Sequence, residues 1–561
     1  MAISPAPLGA CSVDPDLDSV ADRRLAAGVY RDGDFRDQVL RDIYNACSRR
    51  IAPSYGFDLV LVVRHAWIAW WLEVGQQVML VGALAWWCAV RPLDTLMALD
   101  LVIIGDLLRR LLSWVLEYVG YGGTRDPTRD RPERVRERNL SLRGKLLKRS
   151  IAGALTVLAA LLLISAGRAT RTSTASWGAH TMVTVAGVII TLIAILLVTA
   201  VVRAWQFARL CSGAPRRRIR LRRRTRVIDQ QQRHPITVHS GFKPFLGSGR
   251  KMRDWSFAQR LVRANPGGTG PGREFDPPPF TAMKLVGRLR EVIAALQHDD
   301  NPETRLPGLC VADCVFVEGT RTGSIGGALG SEPGSDEVGQ AIADAITRPS
   351  GLARHYLRAQ VVSWGGEVVT TVYVHVSLQG RTLYIEFATY ALYPVRPEYG
   401  VDRPSGRRTG EIASVIVAAV AGLPTHLLEV KHLVTAPATL LPALRAASAR
   451  TPKAVPYRDI GAQSSIRERA MIEPPSEFRN ESESGYFQSQ DIVQHSKIIE
   501  RRLIAALDDY LKEFGVDTSE FVQRTTAILN NGILNTGSGT INAENTAVGE
   551  NSMVFAEAGN S

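Results

Sequence analysis

Eight arginines fall within Arg216–Arg226: Arg216, Arg217, Arg218, Arg220, Arg222, Arg223, Arg224 and Arg226. Guanidinium groups at this density suit phosphate oxygens, whether of lipid headgroups or of nucleic acid. The segment follows a long apolar run, and beside a bilayer each arginine gains about 1 kcal/mol from anionic headgroups. Few aromatics are present to stack bases, so the segment reads as a topology signal with lipid headgroup contact, and no nucleic acid is expected.

A second cluster lies on the hairpin Gly366–Val395, where Val372, Val374 and Val376 alternate with Thr371, Tyr373 and His375, and Leu383, Ile385 and Phe387 with Thr382, Tyr384 and Glu386. Taking Gln379-Gly380 as a two-residue turn puts His375 opposite Tyr384 and Tyr373 opposite Glu386. His375 and Glu386 are then diagonal neighbours. Such a face offers acid–base groups, but no nucleophile or metal set converges with it in sequence. The favoured reading is a polar face covered by a helix or water, with no catalytic residue, metal ligand or cofactor assigned.

The glycines and lysines of Ser240–Lys251 (SGFKPFLGSGRK) suggest a phosphate cradle, yet no Gly-Lys-Ser/Thr follows at P-loop spacing, so a structural loop is expected. Six cysteines are too few for a disulfide scaffold, and Cys310 and Cys314 share one face of a strand as core residues. The last region, Gly532–Ser561, interleaves Asn, Gly, Ser and Thr with apolar residues in approximate echoes, Gly532–Asn535 and Gly539–Asn542, followed by Ala547–Val554. Short β-prone pieces carrying asparagine suit stacking of identical chains. Ile533, Ile541, Val548, Gly549 and Asn551 are the candidate self-association residues.

The elements that hold these residues are of two materials. Hydrophobic content is 45 % and charged content 22 %, ordinary values, so membrane character must be local. Ser150–Gly167 and Ala179–Trp205 are apolar runs of spanning length. Ala66–Val90 and Leu93–Val119 read as an earlier hairpin, although the first contains Glu73, Gln76 and Gln77. The second carries Asp94, Asp100, Asp106, Arg109, Arg110 and Glu117. Asp106 precedes Arg109 and Arg110 at helical spacing, so the charges can satisfy one another. Basic flanks before Ser150 and after Trp205 place both flanks, and both termini, in the cytoplasm at the cell (inner) membrane.

The expected fold class is a multi-pass α-helical membrane protein of two helical hairpins, four transmembrane helices in all, with a cytoplasmic α+β domain and a low-complexity tail. Its segments are a cytoplasmic N-terminal helical region (1–65), a first membrane hairpin (66–120), a basic loop (121–149) and a second hairpin (150–205). After these come the basic segment with the α+β domain (206–476), a linker with amphipathic helices (477–531) and the tail (532–561). Within the domain, Met283–Gln297 reads as helix, Gly308–Glu318 as strand and Ile412–Ala447 as a helix interrupted near Pro424 and Pro437. Asp491–Phe514 reads as an amphipathic helix and Glu520–Leu529 as a second, short one.

The stretches YRDGDFRDQVLRDIY (Tyr30–Tyr44), VHSGFKPFLGSG (Val238–Gly249) and VVSWGGEVVTT (Val361–Thr371) resemble uncharacterised multi-pass membrane proteins of actinobacteria, which implies no activity. The tail resembles bacterial amyloid-signalling sequences: Val548-Gly549, with Asn551 and Met553 beyond, is similar to the core of the RIP homotypic interaction motif. Ala547 stands where that motif has glutamine, and Asn551 and Met553 each come one residue early.

The expected function is that of a non-enzymatic integral membrane protein, a signalling or immune-type effector that self-associates through its tail. Its partners are the lipid bilayer, anionic headgroups and copies of itself, with no protein partner specified. Alternatives are a membrane-anchored enzyme using the His375/Glu386 face, and a small transporter or channel using Asp100, Asp106 and Arg109, which the lack of internal repeats disfavours.

Overall fold

A computed structural model describes residues 19–118, 175–211, 221–264, 273–400, 431–453, 458–472 and 485–529. The chain forms two compact units, one of residues 1–66, 213–401 and 442–561, the other of residues 67–212 and 402–441.

The first unit is built on a six-stranded sheet: β1 (Ile236–His239), β2 (Arg250–Arg260), β3 (Leu309–Glu318), β4 (Ala353–Ser363), β5 (Val368–Gln379) and β6 (Thr382–Leu392). Their spatial order is β1-β3-β4-β5-β6-β2; β1 and β3 are parallel and every other pair is antiparallel. Alternation sends Val372, Val374 and Val376 of β5 and Leu383, Ile385 and Phe387 of β6 to one face, all at most 2 % exposed. Over that face lie α7 (Ala282–Ala294), α8 (Asp336–Thr347) and α11 (Tyr486–Glu513), and α12 (Ser519–Leu529) reaches β2. The Thr281 side chain caps α7 by accepting from the Lys284 amide. Leu285, Leu289 and Ile293 of α7 and Ile499, Leu503, Leu507 and Leu511 of α11 are fully buried in the same core. Each such side chain contributes roughly 1.5–3 kcal/mol through burial.

The unit also takes in the N-terminal helices α1 (Val20–Arg31) and α2 (Gly33–Gln38), a π-helical turn Val39–Asn45, the start of α3 (Leu59–Val90) and α6 (Arg223–Gln232). Ser19 caps α1, Gln231 and Gln232 accept from the amides of Ile51 and Leu59, and Leu59–Val63 are buried. The expected N-terminal region and the expected linker with amphipathic helices are therefore not separate segments. Both belong to the sheet-centred unit: the C-terminal helices fill its core, and the N-terminal region packs on it through Ala52 with Leu246 and Tyr55 with Val369 and Leu392. A short α10 (Ile466–Ala470) completes the unit. The helix α9 (Lys431–Ala447) runs through Pro437, where an interruption was expected.

The second unit contains α3 from Trp67 onward, α4 (Pro92–Tyr118) and α5 (Ala175–Cys211). Leu80, Ala98, Val188, Leu192 and Leu196 form its core. Gln76 and Gln77 point inward and are buried, the former accepting from Arg203. Trp86, Met182, Val183, Ile190 and Val201 point outward, each at least 60 % exposed. Two helices, Leu59–Val90 and Thr181–Leu210, are long and apolar enough to cross a membrane.

The expected four-helix, two-hairpin membrane fold is overturned. Among the described residues only those two helices have the length and composition of spans; α4 does not, since six charged residues interrupt its 27. The expected span Ser150–Gly167 lies outside the described residues, as do the side chains of Asp106, Arg109 and Arg110. The largest folded body is the mixed α+β unit, built as a water-soluble fold is.

Candidate functional site

The sheet's second face carries the polar alternates of the same strands. Its middle is closed by Phe245, whose ring lies 4.6 Å from Tyr373 and 5.0 Å from each of Phe316, Tyr356 and Tyr390. The Tyr373 hydroxyl pairs with Ser248 Oγ at 2.8 Å and the Tyr55 hydroxyl at 3.3 Å. The Ser240–Lys251 stretch is thus a lid on the sheet, and Arg250 already begins β2. The Gly247 and Gly249 amides donate to one oxygen of Glu468 at 2.7 and 3.0 Å. The anion those amides cradle is a carboxylate of this chain. Gly249 is fixed by its backbone: φ is +90°, and an added Cβ would collide with the Ala391 carbonyl.

Beyond Phe245 the same face opens into a cleft of about 650 Å³ lined by residues of β2, β4, β5 and β6. The β5–β6 turn is Gly380-Arg381, with Gln379 opposite Thr382, so the register expected from Gln379-Gly380 is wrong by two positions. Gly380 adopts φ +57°, as a tight hairpin turn requires. His375 consequently lies directly opposite Glu386 rather than diagonal to it, and Tyr384 faces Ser377. On β4, Leu357 pairs with Val374, which puts Tyr356 beside His375. The row Tyr356, His375, Glu386 thus crosses three strands, and Arg354, Ser377, Tyr384 and Ala258 form the next row. Small side chains at Ser377 and Ala258 make the floor; tyrosines, histidine and arginine make the walls.

The Tyr356 hydroxyl donates to Glu386 Oε2 at 3.2 Å. His375 Nδ1 donates to the His355 carbonyl at 2.6 Å, leaving Nε2 as the ring's other polar atom. Burial pushes the His375 pKa down, keeping the imidazole neutral. Burial likewise pushes the Glu386 carboxyl up, against the opposing Tyr356 bond. A neutral imidazole beside a carboxyl group offers hydrogen-bond acceptors and the means to move a proton. Arg354 stands exposed at the rim, one guanidinium nitrogen donating to the Pro349 carbonyl.

Behind the row, on the helix-covered face, His355 Nε2 bonds Asp313 Oδ1 at 2.9 Å, and Arg290 holds the other oxygen of Asp313. These bonds outweigh burial and keep the Asp313 pKa low. They fix the strand segment whose carbonyl orients His375. Among the described residues no cluster of three metal-ligating side chains occurs.

Sequence reasoning found His375, Glu386 and Tyr384 but missed Arg354, Tyr356 and Ala258, because β2 and β4 were not recognised as neighbours of the hairpin. Their signal was present: Leu357, Ala359 and Val361 alternate with Tyr356, Arg358 and Gln360, and Trp255 and Phe257 with Ser256 and Ala258.

The arginine cluster divides. Arg222, Arg223 and Arg226 are exposed, and Arg224 is fully buried. Its Nε donates to the Tyr44 carbonyl at 3.0 Å and one Nη to the Ile43 carbonyl at 2.7 Å, at the C-terminal end of the π-helical turn. Arg224 therefore caps a helix terminus and is removed from the lipid-contact set. Arg216, Arg217, Arg218 and Arg220, and the tail residues Ile533, Ile541, Val548, Gly549 and Asn551, lie outside the described residues. Cys310 and Cys314 do not share the expected role: Cys314 is buried and free, whereas Cys310 is disulfide-bonded.

The family model described as AbeC-like domain matches residues 254–542, just over half of the chain, so the chain belongs to the AbeC-like family. No curated protein and no solved structure matches it.

Proposed function

We propose that this AbeC-like protein is a membrane-associated effector or signalling protein, not an enzyme, which self-associates through its C-terminal tail. One observation carries the reading: the apolar helical unit is inserted into the soluble one. The chain leaves the sheet-centred unit after Ala66 and rejoins it at Gly213, so residues on both sides of the insertion belong to one compact unit. Arg224 against Ile43 and Tyr44, Tyr55 against Tyr373, and Gln232 against Leu59 join them.

A sheet-centred unit assembled from both flanks of the insertion lies on one side of any membrane that the insertion meets. The arginines support a cytoplasmic side for this unit, and with it cytoplasmic termini, at the cell membrane. The outward-facing apolar side chains of α3 and α5, with glutamines turned inward, support lipid as the surrounding medium. Arg222, Arg223 and Arg226 remain available to anionic headgroups. At the other end α11 and α12 dock in the sheet's core, so the tail begins from a rigid platform.

Growth of cells expressing the full chain, the chain ending at Asn531, and the Val548→Asp variant tests this reading. Growth arrest by the full chain that both changes relieve is the expected result, since an aspartate repeated at each stacked layer opposes assembly. Equal growth in all three, or arrest that survives loss of the tail, overturns it.

A further inference from the structure

The geometry points to the cleft beside β4, β5 and β6 as a binding site for a purine nucleotide, with the base held by Tyr356, Tyr384 and Glu386 and the phosphate by Arg354. The effector reading above does not require this site, and the site does not require the tail.

The argument begins with the floor. Two small residues of the polar face, Ser377 and Ala258, flank Tyr384 one strand to either side, and Tyr356, His375 and Glu386 stand in the row beside them. A polar sheet face meant only for water has no need of such a depression. Here the dent opens to about 650 Å³, within the range of small-molecule sites, which bury most of a ligand against aromatic walls with a few placed polar groups.

The walls define the ligand. Tyr384 is 36 % exposed and its ring stands 6.3 Å from that of His375, which lies 5.1 Å from Tyr356. Tyr384 presents the surface for a flat heteroaromatic ring, and the buried Tyr356 and His375 back it with their polar atoms. Glu386 offers the carboxylate edge to which two adjacent donors of a guanine can bind together, with Oε2 already oriented by the Tyr356 hydroxyl. His375 Nε2 takes a further donor or sugar hydroxyl. Arg354 sits diagonally from Glu386, two strands across and two residues along. Those offsets are about 10 Å and about 7 Å, so a nucleoside monophosphate spans the two. A single exposed arginine suits one phosphate group rather than a triphosphate. The neutral imidazole keeps a second cation away from the base, and the lowered His375 pKa maintains that state at neutral pH.

Calorimetric titration of the full-length protein in detergent with guanosine 5′-monophosphate tests the site, alongside cytidine 5′-monophosphate and inorganic phosphate. Saturable binding of the guanine nucleotide is expected, at least tenfold tighter than that of either control. Glu386→Gln should weaken it about tenfold or more, in keeping with loss of a bidentate base contact. Arg354→Ala, at an exposed position that leaves the fold intact, should reduce binding of the nucleotide but not of guanosine. Ser377→Leu should fill the floor and abolish binding, its thermal melt reporting whether the fold persists. Absence of saturable binding overturns the proposal, as does equal binding of the cytidine nucleotide or of phosphate alone. Binding unchanged in the Arg354→Ala and Glu386→Gln proteins overturns it as well.

Discussion

At the scale of single residues, the informative side chains are charged or ionisable groups removed from water. Arg224 sits in a run that reads as uniformly solvent-facing, yet alone among the described arginines of that run it is turned into the fold, where it satisfies carbonyls left open at a helix end. Replacing it with alanine leaves those carbonyls buried without donors. About 3 kcal/mol or more of stability should be lost, read as a lower denaturation midpoint. Arg223→Gln next to it should leave that midpoint unchanged within about 0.5 kcal/mol.

His234 gives a pH signature. Burial pushes its pKa from 6.5 down to about 4, and Nδ1 accepts from the Ile236 amide. The unfolded chain protonates this ring as pH falls through 6.5 while the folded chain does not. Stability therefore declines from pH 6.5 towards pH 4, by at most roughly 3 kcal/mol from this residue. Asparagine at 234 keeps an acceptor without the titration. Denaturant melts at pH 7, 6 and 5 should show a shallower decline in His234→Asn than in the parent protein. Parallel curves would mean that other groups set the acid limit.

At the scale of elements, α11 shows what period-based reading captures and what it loses. The apolar stripe Ile492, Ile499, Leu503, Leu507, Leu511 is legible because each residue recurs at helical spacing, and all five are buried. Nothing local tells which surface receives the stripe, so the helix reads as part of a linker although it roofs the sheet. Leu503→Ala should cost roughly 2–5 kcal/mol through the cavity it leaves, measured by the loss of cooperative unfolding of the whole unit. A linker helix would melt separately, with the sheet's transition unmoved. The hairpin carries the same lesson in reverse. Alternation fixed which residues share a face, but the turn decided the register, and Gly380-Arg381 replaced the expected Gln379-Gly380. That shift brings His375 and Glu386 together, so the site's partners were legible and their distance was not. Strands β2 and β4 alternate too, but no tight turn joins them to the hairpin in a way that announces them as its neighbours.

For the whole molecule, composition separates apolar from mixed segments but cannot say how far an apolar run is shared with a soluble core. Leu59–Val63 belong to the sheet-centred unit and the same helix continues as a candidate span, because a buried soluble helix and a lipid-facing one use the same residues. The insertion of one unit into the other is likewise invisible until pairs such as Tyr55 and Tyr373 are seen in contact across the sequence gap.

The order β1-β3-β4-β5-β6-β2 bears on where this fold can be cut. The family match starts at residue 254, inside β2, and omits β1 altogether. A fragment trimmed to that boundary shortens one edge strand and strips the other, leaving the unpaired amides and carbonyls of β3 as a template for any passing strand. Loss of Phe245 would also uncover the aromatic face behind it. The matched block is therefore smaller than the smallest self-sufficient piece, and sticky rather than merely unstable. Excision must keep the chain from Ser19 to Ala66 and rejoin it to residues 221–401 and then 442 onward, making a single continuous domain out of what is now three segments.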